Sequence, residues 1–188
     1  MRRRAFTVLA TALAVALAAA GLAACGGSSS SVKIPGEAPT GSTTYHGDGF
    51  MVSFPRGWRR FDAGATGHAV VQWSNASDTG LIDVTVRSGI YRTPTTDLLK
   101  EAKLVNSTAA ASIKMSSITL SSASVPGASR AELLTERGST AKGPHLIEDL
   151  IVTTQSGIQI EVTATQRAGA GGFDPTSYVN SFALGSSA

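Results

Sequence analysis

Ser139 and Lys142 stand in a Ser-x-x-Lys spacing. Serine acylation chemistry uses that spacing to put a lysine one helical turn from the nucleophile, where it takes the hydroxyl proton. Here Gly138 precedes the pair and Gly143-Pro144 follows it, so the pattern predicts a loop and not the buried helix the chemistry needs. Ser-Asp-Asn, Lys-Thr-Gly and Gly-x-Ser-x-Gly companions do not occur in the chain. His46, His68 and His145 are the three histidines, and no two lie three or four residues apart. His46-Gly47-Asp48 offers two weak ligands in a turn, so no metal site is expected. Glu148 and Asp149 are adjacent in an apolar strand pattern, which sends their carboxylates to opposite faces and prevents a paired acid/base site. Gly169, Gly171 and Gly172 lack the lysine of a phosphate loop. These residues predict no enzyme activity and no cofactor. Arg56, Arg59 and Arg60 beside Trp58 form a cationic cluster, a candidate rim for a partner or for anionic headgroups.

The clearest chemistry is at Cys25, the only cysteine. Arg2, Arg3 and Arg4 form a positive n-region, and Ala5 to Leu22 carries no charge. That is the layout of an export signal. It ends in Leu22-Ala23-Ala24-Cys25, which resembles the bacterial lipobox, where the signal is cut before a diacylglycerylated cysteine. The apolar stretch alone would also suit an uncleaved membrane anchor, but the lone cysteine stands where the lipobox requires it. Arg3-Arg4-Ala5-Phe6 fits twin-arginine export as well as the general route. Residues 1–24 are thus expected to be a signal peptide. Acyl chains at ~0.8 kcal/mol per buried methylene would then hold the protein on the extracytoplasmic face of the membrane.

The formal charge of +3 sits in that leader, since no acid precedes Glu37, and it falls to zero once residues 1–24 are removed. A neutral mature chain does not suit nucleic-acid binding. With one cysteine there is no internal disulfide framework.

The elements that would position these groups follow from periodicity. Residues 25–43 hold the cysteine and a Gly/Ser/Pro-rich stretch expected to be a flexible tether, its reach roughly 23 Å as a coil. A globular domain is expected over 44–188. Phe50, Val52 and Phe54 alternate, then Pro55-Arg56-Gly57 stops the strand and turns Trp58 onto the core. Ala69–Trp73 and Leu81–Arg87 read as strands, the second half-buried. Thr93-Pro94 reads as a cap, and Leu98, Ala102, Val105 and Ala109 predict a helix of about 16–18 residues. Ile118 and Leu120 start a further strand, closed by Val125-Pro126-Gly127, and strands follow at Ser129–Arg137, Leu146–Thr154 and Ile158–Thr165, with Gln155-Ser156-Gly157 a tight hairpin. Asp174-Pro175 caps a short last helix. Strands, helix, strands, helix is not a parallel α/β order.

The segment Gly49-Phe50-Met51-Val52-Ser53-Phe54-Pro55-Arg56-Gly57-Trp58 resembles the opening strand of PsbP-like proteins, and Ser124-Val125-Pro126-Gly127-Ala128 and the end Tyr178–Leu184 are similar to their distal part. Within that group the chain looks like actinobacterial lipoproteins of the LpqN/LpqT type. The resemblance covers about residues 45–184. It implies an α+β fold: a PsbP-like α-β-α sandwich, its sheet mainly antiparallel, with one long helix and a short C-terminal helix. It names no active site.

The resulting expectation is a membrane-anchored envelope lipoprotein, a non-catalytic interaction or accessory module with an envelope protein as partner. The alternative is a carrier or sensor of an apolar or cell-envelope lipid ligand, which a long apolar cleft would favour.

Overall fold

A computed structural model describes residues 31–65, 68–89, 92–107, 114–141, 143–167 and 171–185. Alternating β-branched and aromatic residues build most of them into strands: β1 (Val32–Lys33), β2 (Ser42–Gly47), β3 (Phe50–Pro55), β4 (Arg59–Ala65), β5 (His68–Ser74) and β6 (Gly80–Arg87). After α1 (Thr95–Ser107) come β7 (Met115–Ser124), β8 (Ala128–Thr140), β9 (Gly143–Thr154) and β10 (Gln159–Gln166), then α2 (Pro175–Val179) and β11 (Ala183–Leu184).

The strands form two sheets. The larger has eight strands in the order β1-β7-β8-β9-β10-β6-β5-β4, and the smaller has the order β11-β3-β2. All pairs are antiparallel except β1 with β7. Of the described residues, 57% are strand and 13% helix. This overturns the expected α-β-α sandwich with one long helix: the fold is predominantly β, with a mixed eight-stranded sheet and two short helices. The physical reason lies in strands that carry little apolar alternation. Ser42–Gly47 has few apolar residues yet pairs with β3 along its length, and β1 and β4 add strands where none was expected.

α1 is described over Thr95–Ser107, Ala109 of the expected helix lying outside the described residues, and a side chain fixes where it starts. Gln159 accepts from the Thr93 amide at 2.8 Å and donates to the Thr93 carbonyl at 2.8 Å, so Thr93 is held as if in a strand and the helix starts after Pro94. Asn106 does the same to Met115, accepting from its amide at 2.6 Å and donating to its carbonyl at 3.0 Å. Two side-chain amides thus pin α1 across one face of the large sheet.

The core lies on the other face. Ile82 and Val84 of β6, Leu150 and Val152 of β9 and Val162 of β10 meet Phe50 and Val52 of β3. Phe173, Tyr178, Val179 and Phe182 complete the cluster from around α2. Asp174 caps α2, accepting from the Thr176 amide at 3.2 Å and from the Ser177 hydroxyl at 2.6 Å, with Pro175 at the first position. Ser181 then accepts from the Ser53 amide at 3.0 Å and fastens the end of α2 to β3.

Two expectations change in detail. The stretch expected to be tether contributes β1 and the first two residues of β2, and Ile34 is fully buried in the core. Trp58 is only half-buried: its ring lies 4.8 Å from Phe173, over Gly80, where an added Cβ would come within 2.7 Å of the indole. The central tryptophan is Trp73, wedged between Tyr45 at 5.1 Å and Phe54 at 4.7 Å.

Candidate binding site

The two sheets do not close on each other everywhere. Where the β2–β3 turn, the β7–β8 turn and the β9–β10 hairpin meet, a cavity of about 900 Å³ remains between them. Its walls are apolar: Phe50 from β3, Val71 from β5, Val84 and Val86 from β6, Ile160 from β10 and Leu184 from β11. Its rim carries Asp48, Gln155 and Ser156. Glycine shapes one wall, since a Cβ on Gly47 would sit 2.3 Å from the Phe50 ring, which lies across that turn. The end of the chain shapes another, with the Gly185 amide donating to the Gly49 carbonyl at 2.9 Å. Most ligand pockets span about 300–1,000 Å³ and pair apolar walls with a few polar groups, and this space has that size and character.

The opposite face of the large sheet carries the charged groups. Thr163 on β10 stands beside Asp83 on β6 and Asp149 on β9, which places the two aspartates in one row two strands apart. Burial pushes the Asp149 carboxyl up to about 7; Thr163 donates to it, which lowers it, and Glu161, Glu136 and Asp83 raise it further. Burial also pushes Asp83 up to about 7, with Glu161 raising it and Arg87 lowering it. Arg87 pairs with Glu161. A smaller cavity of about 300 Å³ lies between this face and α1, walled by Leu98, Leu134 and Ile147, with Glu101, Glu136 and Asp149 at its edge. Burial raises Glu136 as well.

Glu148 and Asp149 point to opposite faces. Glu148 is buried under α2, accepts from the Thr176 hydroxyl at 3.0 Å and stands 3.7 Å from Arg137. Burial raises its pKa, and its second oxygen has no partner. His145 is buried with Nδ1 unpartnered, its pKa lowered by burial and by Arg167. His46 lies exposed on β2, and His68 opens β5 opposite Arg87. Among the described residues no three His, Cys, Asp or Glu side chains are placed to hold a metal ion. Ser139 is within β8, paired to Pro144, rather than in a loop, while Lys142 lies outside the described residues. Gly171 and Gly172 form a turn before α2, and Gly169 lies outside the described residues.

The arginine rim is divided. Arg56 is exposed in the β3–β4 turn. Arg59 pairs with Asp78 at 3.1 Å. Arg60 pairs with Asp62 at 2.8 Å and lies over the Tyr45 ring at 4.7 Å. Leu22, Ala23, Ala24 and Cys25 lie outside the described residues, and no helix among the described residues is long and apolar enough to cross a membrane.

The carboxylate row and the cavity are absent from the sequence reading. Asp83 and Asp149 follow the polar-out alternation of half-buried strands, and only the strand order brings them together. The sole signal for the cavity was the valine-rich alternation of Leu81–Arg87, which is equally that of a filled core.

No family model matches the chain, and no curated protein matches it. Among solved structures, a Bacteroides thetaiotaomicron protein is similar at a TM-score of 0.41 and 13% identity, covering 78% of this chain. The chain spans half the length of that protein. A Pseudomonas aeruginosa protein of unknown function is similar at a TM-score of 0.32 and 11% identity, covering 67% of this chain and 83% of its own. Likeness at this level assigns neither an activity nor a ligand.

Proposed function

We propose that this protein is a membrane-anchored, non-catalytic envelope lipoprotein that binds an apolar or amphiphilic ligand between its two sheets. The observation that carries the reading is the cavity of about 900 Å³ lined by Phe50, Val71, Val84, Val86, Ile160 and Leu184. A protein whose role was only to present a surface would gain stability by filling that space, because unfilled apolar volume costs stability in proportion to its size. The polar rim of Asp48, Gln155 and Ser156 lets a ligand keep a polar end in water while its apolar part is covered. The export-signal layout ending in Leu22-Ala23-Ala24-Cys25, and the chain's likeness to lipoproteins of the LpqN/LpqT type, support an envelope setting.

The test is a naphthylamine dye whose emission rises in apolar surroundings. The protein should bind it, and Val86→Trp should weaken binding by about tenfold or more by occupying the space. Val86 is only partly buried, so the larger side chain can enter the cavity without forcing the packed core apart. Equal dye binding by wild type and Val86→Trp, with both folded, would remove the cavity from the account.

The anchor is tested separately. Cys25→Ala should leave an unlipidated, uncut precursor, and mass spectrometry of the wild-type protein should show a chain beginning at an acylated Cys25. A mature wild-type species with a free Cys25 thiol would contradict the anchor.

A further inference from the structure

We infer that β4 is a docking edge for a second copy of this chain. β4 closes one end of the eight-stranded sheet. It pairs with β5 from Arg59 opposite Ser74 to Ala65 opposite His68, and no strand among the described residues lies on its other side. An exposed edge presents unpaired amides and carbonyls, a template for another strand. Short length or single-sign charge usually blunts such an edge. β1, at the far end of the same sheet, has only two residues. β4 has seven residues, and its charges are of both signs.

The order of those charges is self-complementary. Arg60 and Asp62 flank Phe61. In an antiparallel pairing centred on Phe61, each residue before Phe61 faces the residue equally far after it in the other copy. Arg60 of each copy then lies opposite Asp62 of the other, and the two Phe61 rings lie side by side on one face. Opposite charges directly across a strand pair stabilise it, and like charges destabilise it. Arg60 and Asp62 already hold each other at 2.8 Å, and both remain about half exposed, so an intermolecular pair replaces an intramolecular one without burying a bare charge. Phe61 is 62% exposed, with Leu104 among the largest apolar side chains left in water. The next residues, Ala63 and Gly64, are too small to obstruct an incoming strand. Arg59 is held away by Asp78. Such a contact is isologous and closes at two copies.

The pairing is testable in the membrane with the full chain. Phe61→Cys should give a disulfide-linked dimer on mild oxidation, because Cα atoms directly opposite in an antiparallel pair are about 4.5–5.5 Å apart, within the range a disulfide spans. Ala63→Cys, opposite Arg59 and not itself, and Leu104→Cys, exposed on α1, should give little. Adding Asp62→Arg to Phe61→Cys should cut the dimer yield about tenfold by placing arginine opposite arginine. Adding Arg60→Asp to that variant should restore the yield, since the swapped charges match again. Equal crosslinking through Leu104→Cys would mean random collision and overturn the proposal. So would a yield indifferent to Asp62→Arg, or a double swap that fails to rescue it.

Discussion

Stability should fall as pH rises from about 6 to about 8.5, and Asp83→Asn or Asp149→Asn should each remove about half of that fall. Both carboxyls are pushed up to about 7 in the folded protein, from an ordinary value of 3.8. A group whose folded pKa is raised favours the fold while it stays protonated. Its contribution is complete below the unfolded pKa and is lost as pH climbs through the folded one. Glu136 and Glu148, also raised by burial, act in the same direction. His145, whose pKa is lowered, acts the other way only as pH drops below its ordinary 6.5. The loss across the stated window should be about 2–3 kcal/mol, and each asparagine variant should be more stable than wild type at pH 8.5 by about 2–4 kcal/mol. Asparagine keeps an oxygen for Thr163 at position 149 and removes the charge. Denaturant melts at the two pH values for wild type and both variants measure this. A wild-type stability that rises with pH would contradict the buried carboxylate row.

Trp73→Ala should cost about 3–5 kcal/mol, enough to unfold much of the protein at ambient temperature. The indole is 1% exposed and stacks on Phe54 at 4.7 Å while Tyr45 meets it edge-on at 5.1 Å. It is also the point where β2 and β3 of the small sheet grip β5 of the large one. Trp73→Phe should be far milder. The indole N–H is buried without an acceptor, a penalty of about 1–3 kcal/mol that phenylalanine removes, offsetting part of the lost volume. Trp58→Ala should fall between the two, because Trp58 is only half-buried against Phe173 and Gly80. Urea unfolding of the three variants gives the order. If Trp73→Ala and Trp58→Ala cost the same, the assignment of the central ring is wrong.

Local signals were legible where one residue type fixes the backbone. Asp174-Pro175 opens α2, Gln155-Ser156-Gly157 turns between β9 and β10, and Pro55 ends β3. Long apolar alternations gave β6, β9 and β10. The sequence reading placed the start of β2 in the tether, because serine and threonine suited to a solvated pleat are also suited to a linker, whereas Ile118 and Leu120 were enough to mark β7 as a strand. It missed β1 and the burial of Ile34, since Ile34-Pro35-Gly36 reads as punctuation. It missed β4, whose residues Arg59 to Ala65 show arginines before any alternation. The α-β-α sandwich came from the resemblance to PsbP-like proteins, and with β1 and β4 unseen nothing in the strand pattern opposed it. The cavity and the Asp83–Asp149 row depend on strand order, which neighbouring residues do not encode.

The way the ends are built in bears on how the protein is made. Val32 and Lys33 pair with Ala123 and Ser124, and Phe50 and Met51 pair with Leu184 and Ala183. A chain emerging from its N-terminus therefore carries β1 without its partner until β7 has been made, and β3 with β2 alone until β11 arrives. Contacts of such long sequence separation form slowly, and an incomplete β chain exposes apolar strands meanwhile. Truncating even the final few residues deprives Phe50 of a neighbour it waits for throughout synthesis.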